Sequence, residues 1–368
     1  VPEVSVPHDI HRLLEFMVEK NASDLHLTVG TMPQFRIDGA LFPVKSEPMT
    51  NEEVSELLYS VMNEKQKKRF EETNELDLSF RWKRGIRFRV NIFRQQGYTA
   101  GAIRRIPNQT PAMADIGMPR FVEGLLGKPS GLILVTGPTG SGKSTTLASM
   151  IDYINANKYG HIITIEDPIE FVHQHKKCIV NQREVGTDTE TFQGALRYVL
   201  RQDPDVVLIG EIRDRESMEA GLRISETGHL ALATLHTNNT IQTIHRVLDF
   251  FPAHQQDMVR TQLAEVLAGV FAQQLVPKIG GGRVMAVEIL IPTPAIRNLI
   301  RTDKTHQIYS AMQMGQAKSN MQTLNQHLLE LIQRKVITVE SAISKTYEPD
   351  ELLKMLEQSS SAPRPATK

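Results

Sequence analysis

The chain has 368 residues, enough for two domains of ordinary size. Its 42 Lys and Arg are balanced by 42 Asp and Glu, so the formal net charge is zero and no basic excess points to nucleic acid or an anionic membrane, though a local basic patch is not excluded. The single cysteine, Cys178, rules out an intrachain disulfide and a Cys-based zinc cage. No stretch reaches the roughly 18 apolar residues of a membrane span, and VPEVSVPHDI has neither the basic start nor the apolar core of a secretory signal. The expectation is a soluble protein of a reducing cytoplasm.

From His8 to Asn21, Ile10, Leu13, Leu14, Met17 and Val18 recur at helical spacing. Leu25, Leu27 and Val29 then alternate as in a half-buried strand, and Asp38-Gly39 marks a hairpin turn between Phe35–Ile37 and Leu41–Val44. Thr50 and Glu53 form a capping box that opens a helix to about Phe70. Alternation returns at Leu76–Trp82, at Ile86–Ile92 and, after a turn at Gln96-Gly97, at Thr99–Ile106. This predicts a small N-terminal α+β domain with an antiparallel meander over residues 1–110, followed by a Pro- and Gly-rich linker over 111–119.

The grammar then changes. Short continuous apolar runs at Leu132–Val135, Ile162–Ile165, Val206–Ile209 and Leu230–Leu235 alternate with helical patterns, as buried parallel strands do when crossover helices cover both faces. An α/β domain is expected over 120–358, its end helical at Ala295–Arg301, Thr323–Arg334, Val339–Lys345 and Asp350–Gln358, with a disordered polar tail over 359–368. There is no internal repeat.

GPTGSGKS, from Gly137 through Pro138, Thr139, Gly140, Ser141, Gly142 and Lys143 to Ser144, matches the P-loop pattern. Its glycines let the loop wrap so that backbone N–H groups point at phosphates. Lys143 reaches the β- and γ-phosphates of ATP, the Ser144 hydroxyl ligates Mg²⁺, and Thr145 continues into the helix whose dipole favours the anion. A P-loop ATPase needs a second acid at a neighbouring strand tip for Mg²⁺ or its water, and Glu211, ending the strand in DVVLIGEIRD, is placed for it. IITIEDPIEF ends in Glu166, Asp167 and Glu170, one of which suits polarising a water: strand-tip position favours Glu166, while Glu170 on the loop reaches further. His229 and His236 flank Leu230–Leu235 as candidate γ-phosphate sensors. Arg197 and Arg201 share a helical face, and arginines at 81, 84, 87, 89, 94, 104 and 105 lie on or beside the N-terminal strands. Solvated strand faces account for most of these; a few can act as arginine fingers from a neighbouring subunit.

In this order the motifs resemble the secretion-ATPase superfamily of type II secretion and type IV pili, over nearly the whole chain. The resemblance includes ASDLHLTVG and FRIDG near the start, GPTGSGKSTT as Walker A, IEDPIEF as the Asp box, RQDPDVVLIGEIRD as Walker B and TGHLALATLHT as the His box. AIRNLIR, Ala295–Arg301, is similar to the C-terminal signature of the pilus-retraction branch, although Thr302-Asp303-Lys304 stands where that signature has Glu-Gly-Lys. The resemblance implies a PAS-like N-domain, a RecA-like ATPase domain and a homohexameric ring that hydrolyses Mg-ATP. It further implies an inner-membrane pilus platform protein as partner, with the pilus-assembly ATPase as a further one, at the cytoplasmic face of the inner membrane. It assigns Arg89, Arg104, Arg197 and Arg201 to nucleotide, and Glu170 as catalytic glutamate with Glu166 in reserve. Assembly and secretion motors of the superfamily are the nearest alternative, but they usually carry a long extra N-terminal region and a tetracysteine zinc motif. A nucleic-acid translocase is disfavoured by zero net charge and 6% aromatic residues. A non-hydrolysing scaffold is disfavoured by the set Lys143, Ser144, Glu211 and Glu166/Glu170.

Overall fold

The computed structural model describes residues 9–361 except Asp38 and Asn108. The described chain falls into two compact units: one runs to Gln109 and includes Glu170–Val172, the other comprises Thr110–Ile169 and the residues from His173 on.

The first unit contains α1 (Ile10–Glu19), β1 (Asp24–Leu27), β2 (Gln34–Ile37), β3 (Ala40–Pro43), α2 (Asn51–Tyr59), α3 (Glu64–Thr73), β4 (Glu75–Arg81), β5 (Arg87–Gln95) and β6 (Tyr98–Ile106). Its six strands form one antiparallel sheet in the order β3-β2-β1-β6-β5-β4, so two meanders meet at β1 and β6. The helix expected from Thr50 to Phe70 is two helices. Thr50 makes its capping box with Glu53, but Asn63 makes a second one with Gln66 and restarts the chain as α3. Phe35, Phe70, Phe88, Val90 and Ile92 pack the core with Leu13, Leu14 and Met17 of α1. The turn residue Asp38 lies outside the described residues, whereas Gly39 has the left-handed φ of +87° that a tight hairpin needs.

The second unit contains α4 (Val122–Leu126), β7 (Gly131–Thr136), α5 (Lys143–Asn157), β8 (Gly160–Glu166), β9 (Cys178–Glu184), α6 (Phe192–Val199), β10 (Val206–Ile209), α7 (Arg215–Glu226), β11 (Leu230–Leu235), α8 (Thr240–Asp249), α9 (Ala253–Val266), β12 (Leu267–Pro277), β13 (Arg283–Leu290), α10 (Pro294–Arg301), α11 (Ile308–Ser319), α12 (Leu324–Gln333), α13 (Val339–Ile343) and α14 (Pro349–Ser361). Seven strands form one sheet in the order β13-β12-β7-β11-β10-β8-β9, all parallel except β13. All residues of β7, β10 and β11 are buried, which is why those segments read as continuous apolar runs. The short apolar runs do not mark β9, an edge strand with polar residues between its buried ones, or the long strand β12. Ser359–Ser361, expected in the tail, belong to α14, and residues 362–368 lie outside the described residues.

Candidate active site

Parallel register decides which residues meet. Leu235 of β11 pairs with Thr136 of β7, Ile209 of β10 with Ala233, and Ile165 of β8 with Ile209. The carboxyl tips of β7, β11, β10 and β8 therefore share one edge, carrying the P-loop, His236, Glu211 and Glu166 in that order. One strand, β11, separates the P-loop strand from the Glu211 strand, so their tips stand roughly 10 Å apart.

The P-loop leaves the buried β7 through Gly137 (φ +142°), Gly140 (φ +79°) and Gly142 (φ +90°), the last being the N-cap of α5. Pro138, Thr139 and Gly140 are exposed at the tip, and Ser144 and Thr145 are half-buried in the first helical turn. Lys143 Nζ donates to the carbonyls of Gly137 (2.8 Å) and Pro138 (3.1 Å), bracing the loop across its own mouth. From the far side, Gln273 of β12 donates to the Ser141 carbonyl at 2.8 Å. A cleft of about 410 Å³ opens beside Gly142 and Thr145, with Ile116, Leu275 and Met285 as apolar walls and Arg283 and Arg334 as cationic ones.

Glu211 is clamped on both carboxylate oxygens. His236 Nε2 lies 2.9 Å from Oε1 and Arg213 donates to Oε2 at 2.9 Å. Burial alone would raise this carboxyl, but the Arg213 and His236 hydrogen bonds outweigh it and hold the group below its ordinary value. Gly210 lets the strand end this close to β8, since a Cβ there would stand 3.0 Å from the Ile165 carbonyl oxygen. Glu166 accepts from Thr164 Oγ1 (2.6 Å) and Gln182 Nε2 (3.2 Å). Glu170 is exposed.

The two histidines separate. His236 follows β11 onto the P-loop edge, whereas His229 precedes it at the opposite edge, roughly 20 Å away for a six-residue strand. His229 Nδ1 there lies 3.0 Å from Thr227 Oγ1. Of the two histidines expected at the phosphate, this chain brings His236 to the P-loop edge and leaves His229 at the opposite one.

The four arginines assigned to nucleotide, Arg89, Arg104, Arg197 and Arg201, each have a partner within the chain. In the first unit Arg36, Asp24, Arg104, Arg89 and Ser79 form one row across five strands. Arg104 donates to Asp24 at 2.7 Å and Arg89 to Asp77 at 2.6 Å. Burial would raise the Asp24 carboxyl, yet hydrogen bonds from Arg104 and Ser23 keep it below its ordinary value. Arg197 pairs with Glu216 of α7 at 2.9 Å, and the Arg201 guanidinium lies 5.6 Å from the Tyr198 ring centre. Because α6 ends at Val199 and Leu200–Gln202 is a 3₁₀ turn, these two do not share a regular helical face.

Sequence reasoning missed Arg213, Gln273 and the residues of the cleft. Arg213 stands two positions beyond Glu211 and was legible as its neighbour. Gln273 carried no local signal, because only the pairing of β12 with β7 brings it to the loop.

The family model for Type II/IV secretion system proteins matches residues 3–281. The chain is 51% identical over 342 residues to the type IV pilus retraction ATPase PilT of Pseudomonas aeruginosa, covering 93% of this chain and 99% of that one. It is 46% identical to a twitching motility protein of Neisseria gonorrhoeae, covering 84% and 83%. A crystal structure of the pilus retraction motor PilT with bound ADP superposes with a TM-score of 0.89 at 52% identity, over 94% of this chain and 99% of that one. With a P-loop and Glu211 on one sheet edge, and these relatives along its length, the chain belongs to the type II/IV secretion system protein family and is a nucleotide-binding ATPase of it.

Proposed function

We propose that the chain is the subunit of a homohexameric motor that hydrolyses Mg-ATP to power type IV pilus retraction and twitching motility. The likeness to a retraction ATPase through 93% of the chain carries this reading, and the P-loop edge supports its chemistry. The base and ribose enter the cleft beside Thr145, and phosphate oxygens replace the Gly137 and Pro138 carbonyls as acceptors of the Lys143 hydrogen bonds. Ser144 and Glu211, the latter partly through water, are the residues that would hold Mg²⁺. One hydroxyl and one carboxylate suit that ion, which keeps most of its shell as water and phosphate oxygen. When bound, it neutralises charge developing on the phosphates.

Glu170 is the general base in this reading, because its exposed carboxylate is available to a water while Glu166 is committed to Thr164 and Gln182. His236 meets the γ-phosphate while its ring stays tied to Glu211. Arg89, Arg104, Arg197 and Arg201 serve a neighbouring subunit's nucleotide, exchanging their carboxylate or ring partners for phosphate. The first unit is the PAS-like domain and the second the RecA-like one, with the expected linker segment 111–119 belonging to the second. Turnover is passed to an inner-membrane platform protein at the cytoplasmic base of the pilus, alongside the pilus-assembly ATPase.

The test is phosphate release against protein concentration, with molar mass read in parallel and Lys143→Ala subunits added in increasing proportion. A steep rise coinciding with a hexamer, with poisoning beyond simple dilution, is the expected result. Concentration-independent turnover by a monomer would remove the shared-site ring.

A further inference from the structure

The loop that carries His236 is held from two sides. On the sheet side, Thr237 Oγ1 lies 2.7 Å from Thr243 Oγ1 of α8, which lies 3.3 Å from Thr136 Oγ1, the residue just before the P-loop. On the other side, the Tyr347 hydroxyl donates to the Asn238 carbonyl at 2.7 Å across a separation of 109 residues. The base of that tyrosine is itself fixed. Gln274 of β12 donates to the Lys345 carbonyl at 3.2 Å, Asn325 of α12 donates to the Glu348 carbonyl at 3.0 Å, and the Thr346 hydroxyl donates to the Asn325 side chain. Three residues around Tyr347 are thus tied to a strand and a helix of the core, and its ring stands as a strut between them and the histidine loop.

Beyond the loop, the start of α8 is anchored by Glu288 of β13. Its carboxylate accepts from the Thr240 backbone N–H at 2.8 Å and from the Thr240 hydroxyl at 2.7 Å. The loop between His236 and Thr240 is therefore pinned at its far end, and Tyr347 supplies its mid-span support.

We propose that Tyr347 is a positioning residue for His236: it holds the histidine loop so that the imidazole stays against Glu211, and it links ATP turnover to the C-terminal helices α12–α14. The proposal rests on the placement of His236 and Glu211 in the working site. Whatever displaces the segment 345–348 would loosen His236 without touching the nucleotide, which gives the C-terminal helices a handle on turnover.

The experiment uses the full chain and Tyr347→Phe, which removes only the hydroxyl. One hydrogen bond lost from a positioning contact lowers kcat by roughly three- to tenfold, with KM for ATP and the melting temperature unchanged. In a His236→Ala background the same substitution adds no further loss, because the strut acts through that ring. Hydrogen exchange at the Asn238–Thr240 amides is faster in Tyr347→Phe and unchanged in the P-loop. Wild-type kcat in the variant, a loss that adds fully to His236→Ala, or a loss accompanied by higher KM and lower melting temperature would overturn it. If wild-type turnover does not depend on Lys143, the catalytic reading fails separately, and the exchange rates still decide whether the strut exists.

Discussion

Gln273 and Gly137 are in steric register: a Cβ on Gly137 would stand 2.2 Å from the Gln273 carbonyl oxygen and 2.7 Å from Ser141 Oγ. With φ at +142°, Gly137 combines a backbone conformation that L side chains rarely adopt with a strand packed directly against it. The start of the P-loop is therefore shaped by β12 as much as by its own glycines.

Gly137→Ala is expected to abolish nucleotide binding, because strand and loop cannot separate without breaking the β7–β12 pairing. Gln273→Leu is the milder probe. It leaves the buried Ser141 carbonyl without its donor, at a cost of about 1–3 kcal/mol. Nucleotide affinity and melting temperature should both fall, with kcat at saturating ATP changed less. Titration of a fluorescent nucleotide checks this, and an unchanged dissociation constant in Gln273→Leu would show that β12 does not shape the loop.

Little of that clamp could be read beforehand, whereas the P-loop, Glu211 and His236 could. The legible residues sit within a few positions of a buried parallel strand whose apolar run announces it, and parallel register places their tips together. Gln273 reaches the P-loop from a strand over 130 residues later, and Tyr347 reaches the histidine loop across 109; no local pattern encodes a register between distant segments. His229 is the instructive case. Both ends of β11 carry a histidine, but in a parallel sheet only the carboxyl end faces the loop. The broken helix at Ser60–Asn63 was also readable, since Asn63 and Gln66 repeat the pattern of Thr50 and Glu53.

Glu166 at the tip of β8 and Glu170 on the loop after it separate by function in a direct comparison. Glu170→Gln removes the proposed base and should lower kcat by about 10²- to 10⁴-fold with little change in nucleotide affinity. Glu166→Gln keeps a carbonyl oxygen able to accept from Thr164 and Gln182, so a loss nearer tenfold is expected. Single-turnover phosphate release reads both. A larger effect at Glu166 would reverse the assignment.

Within AIRNLIR, Ile296 and Ile300 are fully buried, and Arg297 donates to the carbonyls of Ala264, Glu265 (2.8 Å) and Leu267 (3.0 Å). A cation at the C-terminus of α9 satisfies carbonyls the helix leaves orphaned and complements its dipole. Arg297→Ala should cost about 2 kcal/mol of stability. Ala295, Asn298 and Arg301 face solvent, so Asn298→Ala and Arg301→Ala should leave the melting temperature unchanged. Thermal unfolding of the three variants checks the division, and equal destabilisation by all three would contradict it.

His173 gives the protein an acid-sensitive core position. Its ring is buried, Nδ1 has no hydrogen-bond partner among the described residues, and burial, reinforced by nearby Lys176 and only partly offset by Asp152, pushes its pKa down to about 4. An unfolded chain takes up this proton near pH 6.5 and the folded chain only near pH 4. Between those values the unfolded state binds more protons, so stability falls as pH falls from 6.5 toward 4 and levels off below. At about 1.4 kcal/mol per pH unit, the full loss is roughly 3 kcal/mol. His173→Gln cannot take up a proton, so its denaturation midpoint should lose less across the same window than that of the wild type. Parallel midpoints for both proteins would mean that His173 stays accessible to solvent protons in the fold and that the acid sensitivity originates elsewhere.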